Sequence, residues 1–173
     1  MLYTRKGDSG NTGLFGTKER VSKDHPLLEA LGSIDEINSL TGLCKAYARE
    51  HNKETANELE RAQEVLFIAQ AQLAGSTMRV TSKHVNALEA AIDAIEATIE
   101  KPTSFVVSGA TMLSALFDFA RTVTRRTERA VVRAHLGDST ELQAYLNRLS
   151  SFFYALARHD AQTSRKTEKS PTY

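Results

Sequence analysis

Residues 113–131 read LSALFDFARTVTRRTERAV. Leu113, Leu116, Phe117, Ala120, Thr124, Thr127 and Val131 recur at steps of three and four, the spacing of one buried face of an α-helix. Arg121, Arg125 and Arg129 recur at steps of four and form a second row on the same helix. At about 100° per residue this row flanks the apolar stripe instead of opposing it. Glu128 sits beside that row, about 20° outside Arg121 in angle. The stretch therefore predicts an amphipathic helix, starting after Gly109 and running to Gly137, with guanidinium groups at the edge of the core.

Four more stretches repeat the apolar pattern. Leu27, Leu31, Ile34, Ile37, Thr41 and Cys44 follow a start near Asp24, with Pro26 just inside, where helices tolerate proline. Leu59, Ala62, Leu66, Ala69 and Leu73 form the second row, ending near Gly75. Val85, Leu88, Ile92, Ile95 and Ile99 form the third, capped by Thr81 or Ser82 and closed before Pro102. Leu142, Leu146, Leu149, Phe153 and Leu156 form the last. Short links between long amphipathic helices predict an all-α, five-helix up-and-down bundle.

Residues 1–23 differ. Gly7, Gly10, Gly13 and Gly16 fall at every third position, with Asp8, Ser9, Asn11 and Thr12 between them. This predicts a glycine-rich N-terminal loop of irregular backbone. The chain is expected to be one domain over 1–173: a nucleotide-binding loop at 1–23, a helical bundle at 24–162, and a polar tail, TSRKTEKSPTY, at 163–173. The tail is expected to be mobile.

Composition narrows the function. The formal net charge is +1, and the basic excess is local and offset by the rest of the chain. That points to a small anionic ligand and away from nucleic acid. One cysteine, Cys44, forbids an intrachain disulfide, and no apolar run reaches membrane-spanning length. The start of the chain lacks an apolar signal stretch, so a cytoplasmic location is expected. A ferritin-like metal bundle needs glutamates followed three residues later by histidine. No glutamate in the chain has one.

The arginine row is suited to an oxyanion because each guanidinium stays charged and donates paired hydrogen bonds. Three in one row repel each other, and Glu128 alone does not neutralise them. A bound anion or a neighbouring subunit would. The N-terminal segment adds free backbone N–H groups and cations, although it is neither a Walker A loop nor GxGxxG. On the fifth helix Asn147, Ser151, Tyr154 and Arg158 share a polar flank. Asp35 and Glu36 lie beside the first apolar row, and Phe105 precedes the fourth helix, where an aromatic serves a core or walls a flat ligand.

In order along the chain these segments resemble the PduO-type ATP:cob(I)alamin adenosyltransferases. The resemblance is carried by TRKGDSGNT at 4–12, Lys23-Asp24, GSIDEINS at 32–39, ARTVTRRTER at 120–129 and LNRLSSFFYALAR at 146–158. It implies transfer of the 5′-deoxyadenosyl group of ATP to cob(I)alamin, giving adenosylcobalamin and triphosphate. It implies a homotrimer with ATP sites between subunits, and Mg²⁺ held through the phosphates. Thr4, Arg5, Lys6, Gly7, Thr12 and Lys23 would contact ATP, together with Arg125, Arg126, Glu128, Arg129 and Asn147. Arg125, Arg129 and Glu128 would be the catalytic set, Asp35 would pair with Arg121 of a neighbour, and Phe105 would face the lower side of the corrin. A cobalamin reductase and a B12-dependent acceptor enzyme would be partners. Two positions depart from the family: Ser108-Gly109-Ala110 replaces Pro-Gly-Gly, and Ser151 replaces an aspartate. The first is expected to alter the start of the fourth helix. It also leaves a second reading, a non-catalytic ATP- or corrinoid-binding trimer on the same scaffold.

Overall fold

The computed structural model describes residues 3, 5–14, 19–134 and 140–173. Five helices carry the fold: α1 (Pro26–Ala48), α2 (Lys53–Leu73), α3 (Ser82–Glu96), α4 (Met112–Arg133) and α5 (Thr140–Thr163). Their starts follow local chemistry. Pro26 opens α1 behind His25, whose Nδ1 accepts the N–H of Leu27 at 3.2 Å. Asn52 caps α2 by accepting the N–H of Thr55 at 3.1 Å. Thr111 caps α4: its Oγ1 accepts the N–H of Ser114, and its own N–H donates to Ser114 Oγ, both at 2.9 Å. Each cap satisfies donors that the helix itself leaves unpaired.

Buried side chains follow the expected rows. Ile34, Ile37 and Cys44 of α1 and Leu59, Leu66 and Ala69 of α2 are buried, as are Phe117 and Ala120 of α4 and Leu142, Leu146, Leu149 and Phe153 of α5. α4 packs against α5 and α1, α1 against α2, and α3 against α5. Thr124 and Thr127 sit inside this core because their hydroxyls donate back to the carbonyls of Ala120 and Val123, at 2.7 and 3.1 Å. Thr127 also reaches the Ser33 carbonyl at 3.0 Å, joining α4 to α1.

Four expectations change. The N-terminal segment is not wholly irregular: Asn11–Gly13 and Arg20–Ser22 form a two-stranded antiparallel sheet, β1 and β2, with Thr12 opposite Val21. Three residues per strand give too short an alternation to read from sequence. α3 ends at Glu96, so Ile99 lies beyond it, half-buried. α4 ends at Arg133, capped by Ala134, four residues before Gly137, which lies outside the described residues.

The tail is not loose. The N–H of Val107 donates to the Lys169 carbonyl at 2.8 Å, and the Ser104 and Ser170 hydroxyls lie 2.8 Å apart. Glu168 Oε1 lies 2.9 Å from Arg158 Nε. The tail thus straps the segment that carries Phe105. None of the helices is long and apolar enough to cross a membrane among the described residues.

Candidate active site

The N-terminal turn is held by its own cations. Arg20 Nη2 donates to the carbonyls of Lys6 and Asn11, the latter at 2.7 Å. Lys23 is bound through its backbone N–H to the Gly10 carbonyl at 2.9 Å. Its ammonium group overhangs Gly7, where a Cβ would meet Nζ at 3.1 Å. A side chain at residue 7 would push Lys23 away, so glycine there keeps the cation over the turn. Arg5 has φ +59° and its guanidinium lies 5.4 Å from the Tyr3 ring centroid. A non-glycine residue in the left-handed region marks backbone held by its surroundings. Arg5, Lys6, Gly7, Thr12 and Lys23 are therefore gathered on one small unit, while Thr4 lies outside the described residues. No helix packs closely on this unit among the described residues.

On α4, Arg125 and Arg129 are exposed and Arg121 is half-buried. The row is as the spacing predicts. Arg126 lies outside the row and forms an ion pair with Glu36 of α1. Glu128 is half-buried and accepts from Asn147 Nδ2 at 3.1 Å, which joins α4 to α5 beside the row. Among the described residues Arg121 Nε is buried without a hydrogen-bond partner, and Asp35 is exposed on α1 with no ion pair to it. Among the described residues, then, Asp35 and Arg121 form no ion pair, and the N-terminal strands do not pack closely on α4.

A cavity of about 550 Å³ opens beside α4, lined by Phe105, Ser108, Asp118, Arg121, Tyr154 and Arg158 among others. Phe105 is 78% exposed at its edge, a placement that core packing does not explain. Gly109 has φ +107°, a conformation that glycine alone adopts easily, so the retained glycine of Ser108-Gly109-Ala110 makes the turn. With the Thr111 cap behind it, α4 starts cleanly despite the missing proline.

Arg158 departs from expectation. It is buried, not on an exposed polar flank. Its Nη2 donates to Asp118 Oδ2 at 2.6 Å, and its guanidinium lies 4.7 Å from the Tyr154 ring centroid. Its Nε faces Glu168 as an ion pair without the alignment of a hydrogen bond. Burial pushes the Glu168 carboxyl above its ordinary pKa, against the pull of Arg158 and with the push of Asp118. Sequence reasoning missed Asp118 and Glu168. For Asp118 the signal was its place between two phenylalanines, Phe117 and Phe119; in helical phase it falls within the arginine row.

Arg121 belongs to both features. It lines the cavity, and it starts the row that Arg125 continues about 6 Å further along the helix. A flat ligand against Phe105 and an anion on the row would lie side by side. Among the described residues no three His, Cys, Asp or Glu side chains cluster to hold a metal.

The family model described as cobalamin adenosyltransferase matches residues 2–160. The corrinoid adenosyltransferase PduO of Salmonella typhimurium is 39% identical over 183 residues, covering 97% of this chain and 54% of that protein. The chain therefore spans about half the length of this relative. A corrinoid adenosyltransferase of Citrobacter freundii is 36% identical over 94% of this chain and 96% of its own. A phenylalanine-to-histidine variant of the PduO-type ATP:corrinoid adenosyltransferase from Lactobacillus reuteri, complexed with cobalamin and ATP, superposes with TM-score 0.92 at 29% identity, covering 99% of this chain and 96% of that one. An arginine-to-lysine variant from the same organism, complexed with ATP, gives 0.90 at 29% identity, over 99% and 100%.

Proposed function

The chain belongs to the cobalamin adenosyltransferase family, and from that premise we propose that it transfers the 5′-deoxyadenosyl group of ATP to cob(I)alamin, giving adenosylcobalamin and triphosphate. The observation that carries this reading is the double position of Arg121, in the wall of the Phe105 cavity and at the head of the arginine row. The electron pair of Co(I) attacks C5′ of the ribose, the C5′–O bond breaks, and triphosphate leaves with both electrons. Negative charge grows on the leaving group as that bond lengthens. Arg125 and Arg129 would meet it, with Lys6, Lys23 and the backbone N–H groups of the N-terminal turn. Fixed donors of this kind stabilise the transition state more than the ground state. Co(I) is already nucleophilic, so no general base is required.

Glu128 would receive a Mg²⁺ ion carried on the phosphates, which would supply charge neutralisation, or would orient the arginines. Asn147 stands ready for the ribose or base. Phe105 would lie under the corrin and keep the axial ligand from cobalt, so that Co(II) becomes easier to reduce. Corrin and nucleotide held together in one site add an orientation contribution.

Among the described residues the N-terminal strands do not pack closely on α4, which supports sites shared between subunits. The orphaned Arg121 Nε and the exposed Asp35 are complementary across such an interface. α1 and α4 also expose Leu43, Tyr47, Met112 and Phe119, apolar surface that a neighbouring copy would cover. A homotrimer is the assembly this reading assigns. Cytoplasmic placement is supported by Cys44, kept as a buried free thiol. A cobalamin reductase would supply the Co(I), and a B12-dependent enzyme would take the product.

The test is an anaerobic absorbance assay with reduced cobalamin, ATP and Mg²⁺. Loss of the Co(I) band with growth of an alkylcobalamin spectrum, dependent on protein and ATP, is the expected result. ATP binding without conversion would overturn the transferase and favour the non-catalytic trimer.

A further inference from the structure

We propose that Arg148 and Glu89 are positioning residues for the nucleotide site: they hold the Asn147 amide with its NH₂ toward Glu128. The inference rests on reading Glu128 and Asn147 as nucleotide contacts. Four side chains from three helices form a continuous relay. Glu89 of α3 accepts from Arg148 Nε at 2.8 Å, and Arg148 Nη1 donates to Asn147 Oδ1 at 2.9 Å. Asn147 Nδ2 then donates to Glu128 Oε1 at 3.1 Å.

The charges decide the direction of the amide. An asparagine side chain has one accepting and one donating end of nearly equal shape. With Arg148 on one side and Glu128 on the other, only one orientation satisfies both. A flipped amide would set NH₂ against a guanidinium and oxygen against a carboxylate. Asn147 and Arg148 are adjacent on α5, about 100° apart around the helix, so one reaches α4 and the other reaches α3. Arg148 and Glu89 are each 42% exposed, and an ion pair in that setting contributes little stability by itself. Its consequence is orientational: it keeps one amide N–H on Glu128 and leaves the second for the nucleotide.

The test is a double-mutant cycle on the full chain, read as the dissociation constant of ATP with Mg²⁺ by calorimetry. Arg148→Met is expected to weaken binding about 5- to 10-fold, the loss of one charge-assisted hydrogen bond. In an Asn147→Ala background the same change is expected to cost less than about 2-fold, because the group through which Arg148 acts is gone. Glu89→Gln should act in the same direction, more weakly, and should also fall silent in that background. A merely structural role would give equal losses in both backgrounds, and that result overturns the relay. So does an Arg148→Met chain that binds ATP as tightly as the unaltered one. If the unaltered chain binds no ATP, the adenosyl-transfer reading fails and takes the relay with it, an outcome visible before any variant is made.

Discussion

Arg158 and Asp118 form an ion pair at 2.6 Å in which both side chains are almost wholly buried, at 2% and 5% exposure. It joins α5 to α4 directly beneath the cavity that carries Phe105. A buried pair adds little over a well-packed apolar pair, yet breaking it strands a charge. Asp118→Leu is therefore expected to destabilise the chain by about 3 kcal/mol. Urea unfolding measures it. Adding Arg158→Leu together with Glu168→Gln, which leaves no carboxylate facing the lost guanidinium, should recover most of the loss, and failure to recover would assign the effect to packing.

The tail should control the mobility of the Phe105 segment. Removing residues 167–173 deletes the Lys169 carbonyl that accepts from Val107 and the Glu168 carboxylate that faces Arg158. Hydrogen exchange at the Val107 amide is expected to accelerate about 5-fold or more, the equivalent of one hydrogen bond. Docking should also depend on pH. The Glu168 carboxyl is raised by burial, so the docked tail holds its proton more firmly than a free tail. Docking is then strongest below the ordinary carboxylate range, weakens as pH rises through it, and levels off above the raised value. Val107 protection at about pH 4 and about pH 7, each corrected for intrinsic exchange, checks the sign.

Arg125→Ala should lower turnover at saturating substrates by at least ~10²-fold, as expected for losing one donor to a leaving group. Steady-state adenosylation kinetics measure it. Near-normal turnover would remove Arg125 from the catalytic set.

Phe105→Ala should leave ATP affinity unchanged and abolish the four-coordinate Co(II) signal, because the ring, not the arginine row, would screen the lower face of cobalt. Spectroscopy of the Co(II) complex with ATP present separates the two roles. Survival of the signal would leave Phe105 without a part in ligand removal.

Alkaline conditions should unfold the protein earlier than its net charge suggests. Burial pushes the Cys44 thiol from 9.0 up to about 12, and burial also raises the Tyr145 phenol above its ordinary range. The unfolded chain loses these protons first, so stability falls as pH rises above about 9. The slope for one thiol approaches ~1.4 kcal/mol per pH unit, and it steepens as the tyrosine ionises in the unfolded state. Urea midpoints across this range measure the decline, and Cys44→Ala should remove the share that begins near the thiol's ordinary value.

Much of this was legible in the chain itself. The three-four rows that place Ile34, Leu66, Phe117 and Leu149 inside were visible because a helix repeats its geometry every few residues. Pro26 and Thr81 mark helix starts through contacts no more than three residues long. The Arg121–Arg125–Arg129 row follows from the same period. Tertiary structure alone decided what these groups meet. The burial of Arg158 depends on Asp118, 40 positions away, and on Glu168 of a tail whose composition reads as loose. The partner of Arg126 is 90 positions away on α1, and the relay from Glu89 to Glu128 needs three helices packed together. Helical phase is a local property and is written in the order of residues. The pairing of charges between helices is set by packing, and packing is a property of the whole chain.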